Sequence, residues 1–108
     1  MKIEFLYFEG CPSHVKARQL LNEVLREEKI QVPVEKKVIA GEEAAVAEKF
    51  LGSPSIRIDG VDADPRARKS ADYGYKCRVY RTEQGLQGCP TKEMIRTAIN
   101  QAVSREKD

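Results

Sequence analysis

Apolar residues fall along this chain in runs whose spacing switches between strand-like and helix-like. Residues 2–8 (KIEFLYF) are β-prone and apolar on both faces, as a central strand covered by helices requires. Gly10 and Cys11-Pro12 end that run. From Ala17 the apolar positions Leu20, Leu21, Val24 and Leu25 recur at helical spacing up to Glu28. Pro12 suits a first helical position, where its missing N–H is no loss. Residues 32–39 (VPVEKKVI) return to strand character, and Pro33 assigns that strand to a sheet edge. Gly41-Glu42-Glu43 opens a second helix, AAVAEKF, acidic in its first turn as the macrodipole favours. Gly52-Ser53-Pro54 breaks it.

Residues 55–58 (SIRI) form a short alternating strand that ends at Asp59-Gly60. Residues 61–76 are polar and without period, and they exceed the usual connection length, so they read as a functional loop or as a concealed short helix. Residues 77–81 (CRVYR) read as the fourth strand, followed by the turn-rich TEQGLQG and Cys89-Pro90. Met94, Ile95, Ala98, Ile99, Ala102 and Val103 make a helical stripe, with fraying expected over 104–108. The order β-α-β-α-β-β-α starts with a right-handed βαβ crossover, hence a parallel pair, and the last two strands join directly as an antiparallel pair. The expected product is a single α/β domain over residues 1–108, a four-stranded mixed sheet with helices on both faces.

Composition narrows the class. The 108 residues are 41% hydrophobic and 33% charged, which suits one globular domain with a core that needs no staples. A net charge of +2, from 19 basic and 17 acidic residues without a long Lys/Arg tract, argues against nucleic acid as a partner. No apolar run approaches the ~18 residues of a membrane span. Residues 1–9 lack the layout of a signal peptide, so neither membrane nor export is expected and the cytoplasm is the default compartment. Three cysteines, an odd number in a reducing compartment, argue against a disulfide framework.

The chemistry-bearing candidates begin with Cys11-Pro12-Ser13-His14 at a strand-to-helix junction. At or beside the helix N-cap, Cys11 would face free backbone N–H groups and the positive end of the helix dipole. Both favour the thiolate, which is the nucleophilic form. His14, three residues on, is placed to donate a hydrogen bond to that sulfur. The plainer reading is a helix-start cysteine and a solvated histidine.

The element order, the Cys-Pro-Ser-His turn after the first strand, and the stretch Gly-Ser-Pro-Ser-Ile-Arg-Ile-Asp-Gly together resemble the thioredoxin-fold superfamily over residues 2–103. Lacking an added N-terminal strand, the chain is more similar to glutaredoxins than to thioredoxins, and it looks most like small bacterial thioredoxin-like proteins. The resemblance implies a cis Ser53–Pro54 bond that leaves the Ser53 backbone free to pair with an extended substrate beside Cys11. It implies substrate contacts from Pro12, Ser13, Ser53, Pro54 and Gly88. Gly85, Gly88 and Cys89 resemble the glycine-containing loop that contacts glutathione in glutaredoxins, with glutathione a co-substrate and no other cofactor.

One departure from that pattern shapes the mechanism. His14 replaces the second cysteine of the Cys-x-x-Cys motif, so a mixed disulfide on Cys11 must be released by an external thiol or by another cysteine. Cys89 is the better internal candidate, because the returning fourth strand brings the turn before the last helix to the active-site end. Cys77 is expected at the opposite end of the sheet, a buried core thiol on the face of Val79. Tyr7 and Phe8 read as core, and Arg57, Arg66, Arg68 and Lys69 as solvated rather than as a carboxylate clamp.

The leading expectation is a thiol-disulfide oxidoreductase of monothiol glutaredoxin type. It would act on a protein or small-molecule disulfide, as a monomer or weak dimer. Two alternatives belong to other classes. Cys11 and Cys89 could supply two thiolates to a soft metal such as mercury, although a closed zinc site would lack ligands. Otherwise the chain is a binding module without redox turnover.

Overall fold

The run that is apolar on both faces forms β1 (Ile3–Tyr7), whose Ile3 and Phe5 enter one hydrophobic cluster and whose Leu6 enters another. The computed structural model describes residues 1–107. β1 pairs in parallel with β2 (Val34–Val38) and antiparallel with β3 (Ser55–Ile58), and β3 pairs antiparallel with β4 (Val61–Asp62). The sheet order is β2-β1-β3-β4. β2 lies at the edge and starts just after Pro33, as a residue without an N–H requires. Glu4, the one charged residue inside β1, is buried and holds the Lys37 ammonium at 2.8 Å. Glu4 faces Glu35 in register, so Lys37 is its diagonal neighbour across the strand pair. Burial alone would push the Glu4 carboxyl up, but the Lys37 hydrogen bond and charge outweigh it and hold the group below its ordinary value.

One face of the sheet is covered by α1 (His14–Glu27) and α3 (Lys92–Lys107). Leu21, Val24, Ile95 and Ile99 from these helices pack with Ile3, Phe5, Ile56 and Ile58 in the main core. On the other face α2 (Glu42–Ala47) sets Ala45 against Leu6, Ile39 and Phe50. Lys92 on α3 reaches Glu27 on α1 at 2.6 Å, and Arg96 joins the same carboxylate. α3 runs on to Lys107 instead of fraying at 104, where the Met1 ammonium binds Glu106 at 2.8 Å. Among the described residues no helix is long and apolar enough to cross a membrane.

The fourth strand is Val61–Asp62, not residues 77–81. Asp59 and Gly60, at φ of 54° and 78°, make the two-residue turn from β3, a connection that needs positive φ and that Asp-Gly supplies. The polar stretch 61–76 therefore contains β4 and a short 3-10 helix at Pro65–Ala67, whose Arg66 N–H is capped by Asp64 Oδ1 at 3.0 Å. Beyond it, β5 (Tyr80–Thr82) and β6 (Gly85–Gln87) pair, among the described residues, only with each other. Arg66 and Arg68 are exposed as expected and Arg57 is half-buried, and all three also clasp backbone. Arg57 donates to the Glu48 and Lys49 carbonyls at 2.6 and 2.8 Å, closing the end of α2. Arg68 donates to the Asp62 carbonyl at 2.9 Å, and Arg66 to that of Arg81 at 3.2 Å.

Candidate functional site

Cys11 lies in the turn between β1 and α1, where its N–H donates to the Phe8 carbonyl at 3.1 Å and the residue is only 3% exposed. It is not the helix N-cap. Ser13 takes that place, since its carbonyl accepts the first helical bond from the Ala17 N–H at 3.1 Å. Cys11 thus precedes the cap by two residues, and Pro12 sits ahead of the first turn. Nor does His14 reach the Cys11 sulfur. Its ring stacks on Tyr7, with centroids 4.7 Å apart and planes 21° off parallel. Among the described residues its buried Nδ1 has no hydrogen-bond partner.

Ser53 and Pro54 open β3, the antiparallel neighbour of β1, and the Ser53–Pro54 bond is cis. Ser53 Oγ accepts the Phe8 N–H at 3.3 Å, and Phe8 in turn holds the Cys11 N–H, so one residue links the cysteine turn to the cis peptide. The Ser53 backbone is not free for a substrate strand. Its N–H donates to the Lys76 carbonyl and its carbonyl accepts the Arg78 N–H, each at 2.9 Å, which makes Ser53 and Cys77 bridge partners.

This pairing overturns the expected position of Cys77. The residue is exposed and lies beside Ser53, at the site end of the sheet. The alternation in CRVYR is real but its faces are reversed: Val79 is 61% exposed, while Arg78 and Tyr80 are buried. Arg78 tolerates burial because Asp62 takes its guanidinium through two bonds of 2.7 and 2.8 Å. Ser55 Oγ accepts a third at 3.0 Å, and the guanidinium lies 4.4 Å from the Tyr80 ring centre. Burial alone would lower the Arg78 pKa, but the Asp62 partner raises it above its ordinary value. Burial pushes the Tyr80 phenol up, and its O–H donates to the Pro54 carbonyl at 2.5 Å. Residues 75–80 thus form a strap across the start of β3, and Gly52, at φ +118°, backs onto it so closely that a Cβ would stand 2.9 Å from Arg78 Cβ.

The expected neighbourhood of Cys89 is present. Its Sγ donates to the Ser13 carbonyl at 3.4 Å, and the residue is 8% exposed within the main core. Burial pushes its thiol up, the nearby Cys11 adds to that, and Lys16 and the Ser13 bond oppose it. Gly88 rests on the same turn, where an added Cβ would come within 2.2 Å of Ser13 Oγ. Ser13, Gly88 and Cys89 therefore meet at one corner, while Cys77 approaches from the Ser53 side. No disulfide joins any of the three cysteines.

Among the described residues no group of three or more His, Cys, Asp or Glu side chains could hold a metal ion. A cleft of about 1020 Å³ opens elsewhere, between the 3-10 helix, β5 and the start of α3, and contains none of the cysteines. Cys77 was expected buried at the far end of the sheet, and its pairing with Ser53 was not expected. The usable signal was Asp62, a carboxylate in a strand position able to neutralise Arg78. Comparisons with family models, curated proteins and solved structures found no match to this chain.

Proposed function

We propose that this chain is a thiol-disulfide oxidoreductase of thioredoxin-like fold, glutaredoxin-like in working through one nucleophilic sulfur, that of Cys11. The observation that carries the reading is the juxtaposition of the Cys11 turn with the cis Ser53–Pro54 peptide, linked through the two backbone groups of Phe8. The order β1-α1-β2-α2-β3-β4, closed by α3 after an inserted strap and hairpin, fits the same reading.

The chemistry needs no group beyond thiols. The Cys11 thiolate attacks one sulfur of a substrate disulfide, the Cys11–sulfur bond forms, and the other sulfur departs as a thiolate that takes up a proton. A second thiol then attacks the mixed disulfide and frees Cys11, so one substrate half leaves as a thiol and the other ends in a disulfide with the incoming thiol. Because Cys11 is almost wholly covered, a small disulfide such as that of glutathione suits it better than a bulky one. The test is glutathione-driven reduction of a small mixed disulfide by wild type and Cys11→Ser. The variant should fall to the uncatalysed rate, and equal rates for the two proteins would overturn the reading.

A further inference from the structure

The exchange reaction needs a thiol to release substrate from Cys11, and His14 stands where a second cysteine of the turn would be. We infer that Cys77, held on the backbone of Ser53, is the resolving thiol. The inference rests on the reading of Cys11 as nucleophile and adds to it the fate of the intermediate.

Cys77 is placed by hydrogen bonds on both sides. The Lys76 carbonyl takes the Ser53 N–H and the Arg78 N–H takes the Ser53 carbonyl, so Cys77 sits opposite the residue that begins the cis peptide. Ser53 Oγ holds the Phe8 N–H, and the Phe8 carbonyl holds the Cys11 N–H. The Tyr75 ring packs on the Phe8 ring with centroids 4.8 Å apart, a direct tie between the Cys77 segment and the residue that follows β1. The strap is anchored from beneath by the Arg78–Asp62 pair and by the Tyr80 bond to the Pro54 carbonyl. A functional thiol needs a rigid support of this kind. The main-chain edge that an extended disulfide substrate would occupy is thus filled by the chain's own cysteine-bearing segment.

The competing thiol is less suited. Cys89 is buried, its Sγ is engaged with the Ser13 carbonyl, and burial pushes its pKa up, which lowers its thiolate fraction. Cys77 is exposed and carries no such bond among the described residues. The step balances simply. Cys11, already joined to the substrate sulfur, is attacked by the Cys77 thiolate; the Cys11–Cys77 bond forms and the substrate leaves as a thiolate. The two cysteines supply the two electrons that reduce the substrate disulfide, and two external thiols later restore them, one opening the Cys11–Cys77 bond and the other releasing the first as their shared disulfide.

The test is to expose the reduced protein to oxidised glutathione, block remaining thiols, and map the disulfides in the unreduced digest by mass spectrometry. Wild type should yield the Cys11–Cys77 peptide pair with Cys89 blocked as a free thiol. Cys77→Ser should lose that pair and accumulate glutathione on Cys11, whereas Cys89→Ser should still form it. A Cys11–Cys89 pair, or release from Cys11 as fast in Cys77→Ser as in wild type, overturns the inference but leaves Cys11 as the nucleophile. Failure of wild-type Cys11 to join either glutathione or a cysteine overturns the underlying reading as well. The wild-type map requires no variant, so the outcome does not depend on how the substitutions fold.

Discussion

Arg78 and Asp62 form a buried two-bond ion pair that fastens the strap carrying Cys77 to the hairpin strand β4. Removing one partner leaves the other charge buried and unpaired, at a cost of about 3–5 kcal/mol. Arg78→Ala and Asp62→Ala should each lower the denaturant midpoint accordingly, and the paired apolar replacement Arg78→Met with Asp62→Leu should recover most of the loss. A single-variant effect below about 1 kcal/mol, the range of exposed pairs, would mean that water reaches the pair.

The Glu4–Lys37 contact makes a prediction for acid. Glu4 is held below its ordinary value of 4.5, so near that pH the unfolded chain binds the proton more readily than the folded one. Its stabilisation is present above 4.5 and is lost as pH falls through the lowered folded value. Unfolding midpoints measured against pH should therefore drop less steeply in Glu4→Gln than in wild type. Parallel curves would show that the contact is not formed in solution.

His14 lies flat on Tyr7 with a buried ring nitrogen that no described residue satisfies. Leaving such a group unpaired costs about 1–3 kcal/mol, whereas an apolar ring of similar shape carries no such penalty. His14→Phe should therefore match or exceed wild type in chemical denaturation. A loss greater than about 1 kcal/mol would point to a hydrogen bond on that nitrogen instead.

Cys89 should react more slowly than Cys77. Burial raises its thiol above the ordinary value of 9.0, so its alkylation, followed peptide by peptide, should still be accelerating beyond that pH and should lag behind that of exposed Cys77. A plateau at or below 9.0 would contradict the buried, hydrogen-bonded placement.

Much of this architecture is legible in the residues, because β1, α1 and α3 advertise themselves through periodic burial. Ile3, Phe5, Leu21, Val24, Ile95 and Ile99 lie in the core where their spacing puts them. Asp59-Gly60 is a hairpin-turn signal, and read only as the end of a strand it leaves β4 directly after it unexpected. What spacing could not reveal is the orientation of residues 77–81. Apolar Cys77 and Val79 look like the buried face, and only the distant Asp62 makes Arg78 the residue that turns inward. The same hidden partner brought Cys77 to Ser53. Cys89 lies beside Ser13 at the expected corner, although residues 77–81, the strand expected to bring it there, are not in the four-stranded sheet. The stacking of His14 on Tyr7 leaves no signature in spacing.

The most direct test of Cys11 as the nucleophile uses the protein with Cys77→Ser and Cys89→Ser, so that Cys11 is its only thiol. Its rate of joining glutathione on mixing with oxidised glutathione is compared with that of a free cysteine peptide at the same pH. Exchange faster by about tenfold or more is predicted, because the turn and the Ser53–Pro54 edge hold the reacting sulfurs in position. A rate equal to or below that of the free peptide would contradict it.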